Sequence, residues 1–149
     1  MIEIRPLKAE DIFEVVRSGV KEIGMKAEPE DNLKALAAER EDSGKCVTGL
    51  VNGHIVGCGG IDMYWEGAGR VWLLLPPYIN DHKKEGYQCI KQGLERILRD
   101  ETLHRVEGYA RVNFPESHTL FRHLGFEIEG RARKYTPDKV DCILYALVR

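Results

Sequence analysis

The residues able to do chemistry are unevenly placed along this chain. Its four cysteines, Cys46, Cys58, Cys89 and Cys142, form no C-x-x-C pair, and none stands at zinc-ligand spacing from a histidine. We read all four as reduced, small, apolar core residues. Cys58, set among Gly57, Gly59 and Gly60, is read as a buried structural thiol and not as a nucleophile. His118 and His123 are five apart, so a helix does not put them on one face as a metal pair requires; both are taken as surface or capping residues, and no metal site is expected. Asp62 is a lone carboxylate closing an apolar, glycine-rich run, and Glu66 falls in the loop after it. The run Asn80-Asp81-His82-Lys83-Lys84-Glu85-Gly86 places two adjacent cations where a helical pattern starts. They read equally as point charges for a phosphate and as a solvated helix start. Trp72 reads as core, while Trp65, beside Glu66-Gly67-Ala68-Gly69, reads as partly exposed.

Length and composition bound what these residues can belong to. The 149 residues fit a single domain over 1–149. Lys+Arg number 22 against Asp+Glu 24, a net charge of -2 that argues against a general nucleic-acid binder. The amino terminus has no apolar stretch of signal-peptide length. The longest apolar run, Val71 to Ile79, is too short and too proline-broken to span a membrane. A cytoplasmic chain without a membrane partner is therefore expected.

The elements follow from periodicity. Ile2 to Arg5 alternates and meets Pro6, as a short edge strand does. Acidic residues in Ala9-Glu10-Asp11 suit the first turn of a helix. Its apolar positions Ile12, Val15, Val16, Val20 and Ile23 predict that it runs to a stop at Gly24. A second helix is expected to open near Pro29 among Glu28, Glu30 and Asp31, carry Leu33, Leu36 and Ala37, and end at Ser43-Gly44. Cys46 to Val51 and His54 to Met63 read as strands joined by Asn52-Gly53, a strong hairpin signal. Arg70 to Leu75 reads as a central strand, stopped by Pro76-Pro77. A helix within Asp81–Asp100, a strand from His104 to Val112, a short helix from Glu116 to Leu124 closed by Gly125, and two final strands complete the chain. Those strands are Phe126 to Glu129 and Asp141 to Leu147, turning near Thr136-Pro137-Asp138-Lys139. The order is β-α-α-β-β-β-α-β-α-β-β, an α/β mixed class with a crossover helix ahead of the His104 strand.

This order is similar to that of the GNAT (GCN5-related N-acetyltransferase) superfamily over essentially the whole chain. The opening Ile2-Glu3-Ile4-Arg5-Pro6-Leu7 with Asp11 resembles the family start. Asn52-Gly53-His54-Ile55-Val56-Gly57 resembles its central hairpin. Asn113, Ser117, Leu120, Leu124-Gly125-Phe126, Glu129-Gly130, Arg133, Asp141 and Tyr145-Ala146-Leu147 resemble the closing half of ribosomal-protein-type members. The resemblance implies a central mixed sheet of about six to seven strands flanked by about four helices. It implies direct acetyl transfer from acetyl-CoA to a primary amine of a small molecule or protein. A homodimer is compatible with it. Acetyl-CoA would lie where the Val71–Leu75 and Val106–Val112 strands splay. Backbone groups at Leu74 and Leu75 would bind the pantetheine and polarise the thioester. The pyrophosphate would sit at the next helix start, on Lys83, Lys84, Glu85 and Gly86, with Asn113 a further cofactor contact. Asp62 is the candidate base, and Tyr135 a second catalytic candidate reaching the cleft from the final hairpin. Two departures stand out. The family's Q/R-x-x-G-x-G/A loop keeps only Gly86, and Phe121 stands where many members have a proton-donating Tyr. They support an alternative, a GNAT-like binding or structural protein without catalysis, as some phage-encoded chains resemble. Acceptor specificity is assigned to the loops around Ala27-Glu28-Pro29 and Thr136-Pro137-Asp138.

Overall fold

The structure is a computed structural model that describes residues 1–19, 21–22 and 30–149, with backbone alone at 21–22 and 30–31. The amino-terminal alternation gives β1 (Ile2–Pro6), followed by α1 (Ala9–Arg17). The Lys8 amide donates to Asp11 Oδ2 at 2.9 Å, which satisfies one of the donors a helix start leaves open. Helix α1 ends at Ser18, with Gly19 at φ +95°. The expected continuation to Gly24 does not occur, because Lys21–Glu22 is already a short strand, β2. Val20, Ile23 and Gly24 lie outside the described residues, as do Ala27, Glu28 and Pro29. Helix α2 (Glu30–Ser43) ends before Gly44, as its sequence suggests.

Strands β3 (Cys46–Val51) and β4 (His54–Trp65) are joined by Asn52 and Gly53 at φ +52° and +81°. Two positive φ values are what a hairpin turn matched to strand twist needs. Then come β5 (Ala68–Leu75), a 3-10 turn (Pro77–Asp81), α3 (Lys83–Ile97), β6 (Arg105–Arg111), α4 (Pro115–His123), β7 (Glu127–Ala132) and β8 (Cys142–Val148). The observed order is the expected one with β2 and the 3-10 turn added.

All strands join one mixed sheet in the order β1-β3-β4-β5-β6-β8-β7, with β2 pairing to β5 off this path. The β5–β6 pair is parallel and α3 makes its crossover; the other pairs are antiparallel. Alternation divides side chains between two faces. On one, Leu7, Ile12, Val15, Leu33 and Ala37 pack on Cys46, Cys58, Trp72 and Leu74 beneath α1 and α2. On the other, Ile97, Phe121 and Phe126 pack on Ile61, Val71, Val106, Ala110 and Tyr145. Each fully buried Val, Leu, Ile or Phe among them contributes about 1.5–3 kcal/mol relative to exposure. The α1–β1 corner is pinned by Asp11, 2% exposed, which accepts two bonds from Arg5 (2.7 and 2.9 Å) and one from Thr48 Oγ1 (2.7 Å). No helix among the described residues is long and apolar enough to cross a membrane. All four cysteines are free and buried.

Candidate active-site cleft

Pairing between β5 and β6 covers Ala68↔Arg105, Gly69↔Val106 and Arg70↔Glu107, and stops there among the described residues. Beyond that vertex the strands diverge. On the α3 side the wedge is filled at its narrow end, since Phe121 and Val71 already occupy the space over Gly108 that a Cβ would need. Beside it lies a cavity of about 340 Å³ lined by residues of both faces. Arg40, Asp62, Arg70, Trp72 and Tyr109 line it on the α1–α2 side, and Gly86, Cys89 and Phe121 on the α3–α4 side.

The α1–α2 side of the vertex is charged and aromatic. Asp62 on β4 is in register with Arg70 on β5, and Arg70 with Glu107 on β6, so the three form one row across the sheet. Asp62 is held by a two-pronged bond from Arg40, at 3.0 and 2.8 Å. That guanidinium lies 3.9 Å above the Trp72 ring, a favourable cation–π placement. Glu107 leans the other way, with Oε1 3.5 Å from Arg105 Nε, while the fork of Arg105 is bonded to Glu129 at 2.7 and 3.1 Å. The Arg70 guanidinium, between the two carboxylates, makes no hydrogen bond or ion pair among the described residues.

Tyrosines wall this row. Tyr109 and Tyr135 stack at 4.4 Å and 16°, with Tyr135 41% exposed. Tyr64 stands beside Trp65 at the end of β4. Partial burial, then the charge of Glu107, pushes the Tyr64 phenol up; for Tyr109 burial acts first, then Tyr135 and Glu107. Both therefore stay protonated hydrogen-bond donors at neutral pH. The loop carrying Tyr135 is tied down by ion pairs from Arg111 to Asp138 and from Arg131 to Asp141.

The far end of the cleft differs from a glycine-rich loop. The 3-10 turn brings Tyr78 under His82, with rings stacked at 4.4 Å, and α3 starts at Lys83 without a side-chain cap. Lys83 and Lys84 are exposed and Glu85 is half-buried. Gly86 is buried, and a Cβ there would stand 2.8 Å from Cδ1 and Cγ1 of Ile79. Its smallness lets α3 close on Ile79, and its amide donates to the His82 carbonyl at 2.8 Å. Leu74 pairs with Cys58 on one edge of β5 and with Glu22 on the other, and Leu75 pairs with Lys21. A strand has two edges, so β2 lies along the edge that β6 leaves open, where a pantetheine was expected. Asn113 is exposed before α4 and accepts from Arg111 Nε at 3.3 Å.

Asp62 and Tyr135 thus fall on the same side of the vertex, while Lys83, Lys84, Glu85 and Gly86 lie where α3 begins. Two features escaped sequence reasoning. Glu107 alternates with Val106 and Gly108 and shares a face with Tyr109, but its register with Arg70 exists only in the folded sheet. His118, expected at the surface or as a cap, is half-buried: Nδ1 is 2.8 Å from Tyr145 Oη and Nε2 is 2.7 Å from the Arg111 carbonyl. Nε2 carries a hydrogen there, since a carbonyl only accepts.

No family model matches the sequence and no curated protein matches it. Solved structures do. An acetyltransferase of the GNAT family from Streptococcus pneumoniae superposes with a TM-score of 0.78 at 15% identity, covering 100% of both chains. yncA from Salmonella typhimurium, solved with its cofactor acetyl-CoA, gives 0.76 at 16% identity over 99% of this chain and 94% of its own. A ribosomal-protein-alanine N-acetyltransferase from Brucella melitensis gives 0.74 at 15% identity over 99% of each chain. With the sheet order, the α3 crossover and the opening beyond Arg70 and Glu107, these likenesses establish that the chain has the fold of the GNAT acetyltransferases.

Proposed function

We propose that the chain is an acetyl-CoA-dependent N-acetyltransferase that acts on a primary amine of a small molecule or protein. The observation that carries this reading is the parallel pair that ends at Arg70 and Glu107 and opens over a cavity lined by residues of both sheet faces. Acetyl-CoA would supply the activated acetyl group. The open edge of β5 near Leu74 and Leu75 would hold its pantetheine arm. The uncapped amides at the start of α3, with Lys83 and Lys84 as point charges, would face its phosphates. The residues fit this co-substrate on one condition, that β2 leaves the edge it occupies. Free, buried cysteines suit a reducing compartment, and we place the protein in the cytoplasm.

The acceptor's ammonium must lose a proton before its nitrogen can attack. Two carboxylates stand at the vertex, and they are not equivalent. Asp62 spends both oxygens on Arg40; protonating it would forfeit two charge-assisted bonds. Among the described residues the Glu107 carboxylate has one ion pair, at 3.5 Å, to an arginine engaged elsewhere. We therefore assign the base to Glu107, and treat Asp62 as a positioning residue that fixes Arg40 on Trp72. Tyr135 completes the acceptor wall through Tyr109. The test is release of the CoA thiol from acetyl-CoA across a panel of amines. Glu107→Gln should lower the rate by about 10²–10⁴ and remove the acidic limb of the pH–rate profile. Asp62→Asn should leave that limb in place. A Glu107→Gln enzyme with wild-type rate and profile overturns the assignment.

One set of observations favours a second reading, a protein that keeps the fold without catalysis. β2 covers the Leu74–Leu75 edge, and the glycine loop is replaced by a 3-10 turn on which Gly86 packs. No CoA release from any amine would support it.

A further inference from the structure

Arg70 is a guanidinium beside a cavity, with a carboxylate in register on each side, and it bonds to neither. Asp62 turns to Arg40 and Glu107 turns to Arg105. Arg70 and the weakly held Glu107 are direct neighbours on the parallel pair, so their backbones are about 4.8 Å apart. Among the described residues, a guanidinium with an open fork thus stands beside a carboxylate held only by a 3.5 Å contact, and neighbours of opposite charge match a small zwitterion. In an α-amino acid one carbon joins the ammonium to the carboxylate. A lysine side chain or a protein's amino terminus carries no carboxylate so close.

We propose that the acceptor is a free α-amino acid with an aromatic side chain. Its carboxylate bonds to Arg70, its amino group faces Glu107, and its ring lies against Tyr64, Tyr109 and Tyr135. The position of Arg70 makes it a specificity residue, because a planar fork recognises a carboxylate with two parallel bonds. The tyrosine stack offers a flat apolar wall with protonated hydroxyls. In the transfer itself, which rests on the transferase reading, the nitrogen gives one proton to Glu107 and forms a bond to the acetyl carbon. The carbon–sulfur bond breaks, and the nitrogen's second departing proton ends on the CoA sulfur. The products are the N-acetyl amino acid and CoA thiol, with the proton on Glu107 passing to solvent.

The test uses the full chain, calorimetric binding and thiol release in parallel. The probes are L-phenylalanine, L-tyrosine and L-tryptophan, with phenethylamine to remove the carboxylate and a tetra-alanine peptide to supply a protein-like amino terminus. An aromatic amino acid should bind roughly ten- to a hundredfold more tightly than phenethylamine, as expected for one charge-assisted fork. Arg70→Met should abolish that difference and Arg70→Lys restore part of it, with circular dichroism confirming that both variants fold. Equal binding of phenethylamine, preference for the peptide, or no binding of any amino acid overturns the proposal. Arg70-dependent binding without thiol release supports the amino-acid site and overturns the transferase reading. Thiol release that ignores the carboxylate does the reverse.

Discussion

The pairing of Lys21–Glu22 with Leu75–Leu74 can be turned into a number. A two-residue antiparallel register holds one pair that exchanges both backbone bonds. Two such bonds are worth about 1 kcal/mol each, net of water. If the pantetheine arm needs the same edge, about 2 kcal/mol of its binding is spent on displacing β2, which corresponds to a roughly thirtyfold weaker affinity. Prolines at both positions, Lys21→Pro with Glu22→Pro, remove the donors whichever residue carries them. The assay is calorimetric titration of acetyl-CoA into the wild type and the double variant, with ADP as a control that lacks the pantetheine. Acetyl-CoA should bind up to about thirtyfold more tightly to the variant, and ADP equally to both proteins. An unchanged or weakened acetyl-CoA affinity in a folded variant refutes the competition.

Asp11→Asn should destabilise the fold by about 1–3 kcal/mol in urea denaturation, because half-buried Arg5 loses a charge partner and an amide NH2 cannot accept the bonds that the buried carboxylate accepts. Burial opposes ionisation of Asp11, but Arg5, the Lys8 amide and Thr48 outweigh it and hold its folded pKa below the ordinary 3.8. That stability is therefore full above pH 3.8 and is lost as pH falls through the depressed value; the gap between wild type and variant should narrow in that range. Gly86→Ala puts a methyl against Ile79 and should cost about 1–3 kcal/mol, offset by about 1 kcal/mol of helix propensity. In an Ile79→Ala background the same change should become neutral or stabilising, and a cost that persists there refutes the packing role. Saturating acetyl-CoA, about a hundredfold over its dissociation constant, should raise stability by about 2.7 kcal/mol. Lys83→Ala with Lys84→Ala should shrink the associated thermal shift, and an undiminished shift removes the phosphate from this helix start.

Local physics made much of the fold legible. Asn52-Gly53 forces its hairpin, Gly125 at φ +88° closes α4, and the β6 alternation buries Val106, Gly108 and Ala110 as the sequence implies. Where neighbours across the sheet decide, legibility ends. The apolar spacing through Ile23 suggested helix, yet pairing with β5 takes Lys21–Glu22. Asp62 was visible as a lone carboxylate, but Arg40, 22 residues away on α2, decides what it can do. Glu107 was placed on its face without its neighbour Arg70, since register between parallel strands joined by a helix has no local signature. His118 looked like a surface histidine because its partners, Tyr145 and Arg111, come from two strands.

The central claim is that the gap between β5 and β6 is a binding cleft for acetyl-CoA. A crystal structure with bound CoA tests it most directly. The pantetheine should run along Val71–Leu75 with Lys21–Glu22 displaced from that edge, and the phosphates should rest at the start of α3. CoA bound elsewhere, or β2 still paired to Leu74 and Leu75 with CoA present, would contradict it.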